Sequence, residues 1–142
     1  MSFREKIAWS CLLSTLVVFV PYFWHVAGLH ASGGLRLPVI IPALLAAIVF
    51  QALINTAATV IIALRSGAEP VDERDAAIES RAFRYAYSIL SVTLVVAIGV
   101  AMFSPLSWDV TLAVASQVAL ACFVLAEAVK YGTQVVGYRR GA

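Results

Sequence analysis

Four long apolar runs dominate this sequence, and they limit the folds that it can adopt more than any other feature does. A helix of about 20 apolar residues crosses a hydrocarbon layer of about 30 Å, and each run reaches that length. Hydrophobic residues make up 62% of the chain and charged residues 13%, whereas soluble domains have about 45–50% and about 25%. In water such a chain would expose large apolar patches. The sequence therefore predicts an integral membrane protein surrounded by the lipid bilayer.

Two short turns connect the first run to the second and the third run to the fourth, so the four runs form two pairs. Ser32, Gly33 and Gly34 interrupt the chain after the first run, because glycine favours turns. Ser104 and Pro105 end the third run, and so short a connection makes consecutive helices antiparallel neighbours. We expect an all-α fold, a four-transmembrane-helix bundle of two antiparallel hairpins that forms one domain over residues 1–142. The predicted helices cover about residues 7–28, 39–64, 72–104 and 109–136.

Charged residues concentrate between the second and third runs, in residues 65–84, which we call the charged segment. It contains four of the ten basic residues and five of the eight acidic ones. Gly67 and Pro70 break the chain there, and Asp72, with Asp75 three residues later, is expected to cap a new helix. A side-chain oxygen at this position accepts a free backbone N–H, and acidic groups favour a helix N-terminus. We expect this helix to continue into the third run, so that the third helix extends into the cytoplasm.

The basic residues also predict an orientation. Four crossings put both termini and the charged segment on one side, which then carries nine of the ten basic residues and leaves Arg36 on the other. Cytoplasmic loops of membrane proteins are enriched in Lys and Arg. We therefore expect a multi-pass protein of the cell inner (cytoplasmic) membrane with cytoplasmic N- and C-termini. The basic residues form no patch with interleaved aromatic residues, so no nucleic-acid partner is expected.

A few polar residues inside the apolar runs are candidates for a ligand site or a pathway. Gln51, Asn55 and Thr59 recur every four residues and form a polar stripe on one helix face. With Gln117 of the fourth run they could line a pathway or pocket, or they could make the hydrogen bonds that hold the bundle or a homo-oligomer. Glu127 and Lys130 share a face of the fourth helix. Ionisable residues at membrane depth are functional candidates, although both side chains could instead extend to the interface.

Sequence patterns typical of enzymes, metals and cofactors are missing. His25 and His30 lie five residues apart, whereas a metal site normally needs three or four convergent ligands. Cys11 and Cys122 do not follow a metal-binding spacing. We find no nucleophile with a neighbouring base and no glycine-rich phosphate loop in the sequence. We therefore expect a protein that is not an enzyme and that binds no metal or cofactor.

The charged segment allows two interpretations. It could be a solvated helix held by pairs such as Asp75 or Glu79 with Arg81 or Arg84, each worth a few tenths of a kcal/mol. It could instead be a docking surface for a cytoplasmic protein partner. The candidate partner-binding residues are Asp72, Glu73, Arg74, Asp75, Glu79, Arg81 and Arg84.

A resemblance adds to this interpretation. The opening MSFREKIAW, the PYF at residues 21–23 and DERDAAIESRAFRYAY at residues 72–87 resemble a group of small bacterial four-helix integral membrane proteins of unknown function. The resemblance covers most of the chain, and its specific part lies in the charged segment. It implies no catalytic residues. Because some relatives are thought to lie beside helix-turn-helix regulators, it implies a signalling or sequestering role.

Three functions follow as hypotheses. The first is a regulatory or partner-binding membrane module that acts through the charged segment. The second is a small oligomeric transporter or channel that uses the polar stripe. The third is a structural subunit of a larger membrane complex.

Overall fold

The computed structural model describes residues 3–66, 72–103 and 108–140, and within them the chain forms four long α-helices. They are α1 (Phe3–Ala31), α2 (Leu37–Ser66), α3 (Glu73–Met102) and α4 (Trp108–Arg140). The predicted all-α four-helix bundle is confirmed, and no strand occurs in the described parts of the chain. All four helices are long and apolar enough to cross a membrane, which is compatible with a multi-pass membrane protein. The predicted end of the third helix, residue 104, lies outside the described residues.

Helices α1 and α4 form the interior of the bundle. α1 packs against α2 and α4, and α4 also packs against α3. In the most apolar stretch of each helix, 39% of the residues of α1 and 22% of those of α4 are buried, against 6% for each of α2 and α3. α2 and α3 therefore direct most of their apolar side chains outward, as helices in contact with lipid do.

One end of the core is closed by the connection between α1 and α2. Gly33 adopts a φ of 71°, a left-handed conformation that glycine adopts without a steric penalty. The N–H of Gly34 donates to the carbonyl of Leu29 over 2.9 Å, which satisfies a carbonyl at the end of α1. Leu35 and Ile40 are buried in the same cluster as α1 residues such as Phe19. The turn therefore belongs to the core.

The start of α3 confirms the predicted cap. The Asp72 carboxylate accepts a hydrogen bond from the Glu73 N–H over 2.7 Å. The Asp75 carboxylate accepts the Asp72 N–H over 3.4 Å, which completes a capping box. Two backbone donors that have no partner within the helix are thereby satisfied. From this cap a single helix continues from the charged segment into the third apolar run.

The start of α1, the start of α3 and the end of α4 meet at the other end of the bundle. Arg4 lies 3.3 Å from Asp75 and 3.8 Å from Glu79, while Glu5 lies 3.6 Å from Arg139. Neighbouring residues of α1 thus pair with opposite charges on two different helices. The ion pairs of Arg4 join the start of α3 to α1, and that of Glu5 joins the end of α4 to α1.

Candidate functional site

Two of the three stripe residues hold α2 against α1. The Ser14 hydroxyl donates to Asn55 Oδ1 over 2.6 Å. Gln51 Nε2 lies 3.2 Å from Ser14 Oγ and 3.1 Å from Thr15 Oγ1 and donates to both. Thr59, the third stripe residue, is exposed. Ser14 and Thr15 were absent from the sequence-based candidates, although two adjacent hydroxyls in an apolar run indicate a need for partners.

Gln117 lies in a separate contact that joins α1 to α4. The Tyr22 hydroxyl donates to Gln117 Oε1 over 2.8 Å, and both side chains are buried. The structure therefore does not bring Gln117 to the polar stripe. The sequence indicated that a glutamine in an apolar run needs a partner, but nothing local identified a tyrosine 95 positions earlier in the chain.

A groove of about 270 Å³ opens between α1, α2 and α4, and we call it the first groove. Its polar lining residues are Thr15, Gln51, Asn55, Glu127 and Tyr131. Its apolar lining residues are Phe19, Ile48, Ala52, Phe123 and Val124. Gln51 Oε1 is buried and has no hydrogen-bond partner. Gln51, with its unpaired buried oxygen, and Glu127, with its carboxylate, thus both line the first groove.

Glu127 and Lys130 form an ion pair. Lys130 Nζ donates to both carboxylate oxygens of Glu127, over 2.8 and 2.7 Å. The same nitrogen lies 4.4 Å from the ring centre of Tyr131 and 5.2 Å from that of Phe83. The Glu127 side chain is 28% exposed and that of Lys130 12% exposed. The ammonium is therefore enclosed by a carboxylate and two aromatic rings, a combination that stabilises a desolvated cation.

A second groove of about 270 Å³ lies between α1, α3 and α4, near the ion pairs at the end of the bundle. Arg4, Glu79, Phe83, Lys130 and Tyr138 are among its lining residues. Tyr131 lines both grooves, Glu127 lines the first and Lys130 the second. The Glu127–Lys130 pair and Tyr131 therefore separate the two grooves.

Two acidic residues of the charged segment pair with another helix of the protein. Asp75 and Glu79 pair with Arg4 of α1, so the expected pairing of these two acids with Arg81 or Arg84 is wrong. The reason is geometric: residues four apart share a helix face, and this face turns toward α1. Arg81 and Arg84 are exposed and have no ion-pair partner among the described residues. Glu73 and Arg74 are also exposed.

The two histidines lie apart from these sites. His25 and His30 are both exposed on α1. In residues 3–66, 72–103 and 108–140 no group of three or more His, Cys, Asp or Glu side chains is placed to hold a metal ion. Cys11 and Cys122 are buried free thiols.

Comparisons with models of protein families, with curated proteins and with solved structures find no match to this chain. The chemistry of the two grooves and of the charged segment is therefore the basis for assigning a function.

Proposed function

We propose that this chain is a non-enzymatic inner-membrane protein that acts as a partner-binding or regulatory module through residues 65–84. Both termini and the charged segment lie in the cytoplasm in this proposal, because nine of the ten basic residues then share that side. The resemblance to small bacterial membrane proteins implies a signalling or sequestering role, and it therefore supports the same function.

The observation that carries this proposal is the separation of charge in α3. The acids Asp75 and Glu79 are used by Arg4, whereas the Arg81 and Arg84 side chains are exposed. Guanidinium groups bind carboxylates through two parallel hydrogen bonds. Arg81 and Arg84 therefore form an exposed basic patch on α3, beyond its acidic first turn, and a partner with exposed Asp or Glu side chains fits that patch best.

The test is cross-linking in cells followed by purification of the tagged full-length chain. We expect Arg81→Glu with Arg84→Glu to remove the specific partners, because the reversed charges repel an acidic surface. The matched control is Arg140→Glu, which reverses another exposed arginine at the end of α4. Changes at Asp72 or Asp75 are less informative, since both residues also cap α3. Identical partners for the double variant and the wild type would refute the proposal.

The grooves favour a small transporter, working as a homo-oligomer, as a second candidate function. Two adjoining spaces separated by a charged pair provide what alternating access needs: a site and a barrier that can move. Flux into proteoliposomes tests this candidate, with Glu127→Gln as the inactive variant and Thr59→Leu as the control on the same bundle. Equal flux through wild type and Glu127→Gln would exclude a route through the first groove.

A further inference from the structure

We infer that the first groove binds a small organic cation, an amine that joins a positively charged N–H to an apolar or aromatic group. The ammonium of Lys130 competes with this ligand for the carboxylate of Glu127. The inference deepens the second candidate function, because binding is the first requirement of transport. It is independent of any partner of the charged segment.

The polar groups of the first groove define the charge of its ligand. Among the described residues that line it, Glu127 is acidic and none is basic. Gln51 Oε1 adds a second acceptor that has no partner, and an unsatisfied buried acceptor costs about 1–3 kcal/mol. A ligand with a charged N–H can face the carboxylate of Glu127, and it can bond Gln51 Oε1 when the amide turns this buried oxygen toward the groove. An anion would meet two acceptors and no cation.

The apolar groups define the rest of the ligand. Phe19, Phe123 and Tyr131 contribute aromatic rings to the lining, and an ammonium within about 6 Å of a ring centre is attracted to its face. The protein already demonstrates this chemistry, because the Lys130 ammonium lies 4.4 Å from the Tyr131 ring centre. A groove of about 270 Å³ is slightly below the about 300–1,000 Å³ of typical ligand pockets, so the ligand is small.

Lys130 must release Glu127 for the ligand to pair with it fully. The lysine side chain has a long flexible stem, and its ammonium can move toward the end of the helix while the stem stays on apolar surface. Lys130 already lines the second groove, together with Glu79 of the charged segment. Binding in the first groove is therefore expected to drive the ammonium of Lys130 into the second.

The experiment measures equilibrium binding to the purified full-length protein in lipid nanodiscs. The probe is tritiated N,N-dimethylbenzylamine at neutral pH, where it is protonated. The control probe is isobutylbenzene, which has the same shape with carbon in place of the charged nitrogen. We expect saturable binding of the amine alone, and a loss of about tenfold or more in affinity for Glu127→Gln, since that variant removes an ion pair in an apolar site.

Lys130→Met gives the sharpest result, because removing the competitor should tighten amine binding by about tenfold. A purely structural ion pair predicts the opposite, since loss of Lys130 would then only disorder the groove. Phe123→Leu should weaken binding a few-fold through the lost ring. Its matched control is Phe50→Leu, because Phe50 is an equally exposed phenylalanine of α2 that does not line the groove.

Unchanged amine affinity in both Glu127→Gln and Lys130→Met would overturn the inference, and so would equal saturable binding of isobutylbenzene. If Lys130→Met does not yield folded protein, the Glu127 and Phe123 variants decide the question by the same criterion. Amine binding without flux would keep the site and reject only the transporter.

Discussion

Two hydrogen-bonded contacts join α1 to its neighbours within the apolar part of the bundle, and they differ in whether a buried polar atom is left without a partner. Tyr22 and Gln117 are both buried and bonded to each other. At the α2 contact, Gln51 donates to two hydroxyls of α1 but leaves its own oxygen unpaired beside the first groove. The first contact has the properties of a structural element. The second combines a structural role with an unpaired, buried acceptor in a residue that lines the first groove, and that combination makes the first groove the better functional candidate.

The largest change in stability is expected at the ion pair of Glu127 and Lys130 beside the first groove. Lys130→Met leaves the Glu127 carboxylate without its partner in an apolar setting, so the free energy of unfolding should fall by about 3 kcal/mol. Unfolding by SDS from detergent micelles measures this change. Adding Glu127→Gln to the same chain should recover at least half of the loss, because the unpaired charge is gone. A double variant as unstable as the single one would show that Lys130 stabilises through packing instead.

The second-largest change in stability is expected at the contact between Tyr22 and Gln117. Gln117→Leu leaves the buried Tyr22 hydroxyl without an acceptor, which should lower the free energy of unfolding by about 2 kcal/mol. Tyr22→Phe together with Gln117→Leu should restore most of it, because neither group then needs a partner. Amine binding to the first groove should not change in these variants. A loss of binding would remove the distinction between the two contacts.

A smaller effect is expected for Asn55→Leu at the α1–α2 contact. Ser14 keeps a second acceptor, the carbonyl of Cys11 at 3.0 Å, so losing Asn55 should cost only about 1 kcal/mol. The SDS-unfolding midpoint measures it beside that of Gln117→Leu. A loss larger than that of Gln117→Leu would reverse the order of the two contacts.

These contacts also show where prediction from sequence succeeds and where it stops. The cap at Asp72 and Asp75 is local, because both partners lie within one helical turn, and it was predicted. The apolar runs likewise determine helices of membrane-crossing length by composition alone. The partners Tyr22 for Gln117 and Arg4 for Asp75 depend on how each helix is rotated about its axis and where it crosses its neighbours. That information is distributed over the whole packing surface and is absent from any single window of sequence.

The smallest change in stability is expected at Thr59, the third residue of the polar stripe. Thr59 follows Gln51 and Asn55 at the same spacing, yet its side chain is exposed on α2. Thr59→Leu should therefore change the free energy of unfolding by less than about 0.5 kcal/mol and leave amine binding intact. Because α2 is an outer helix, a loss of stability well above that value for the purified chain would mean that Thr59 contacts another copy of the protein. The dependence of the unfolding midpoint on protein concentration would then distinguish a homo-oligomer from a contact within one chain.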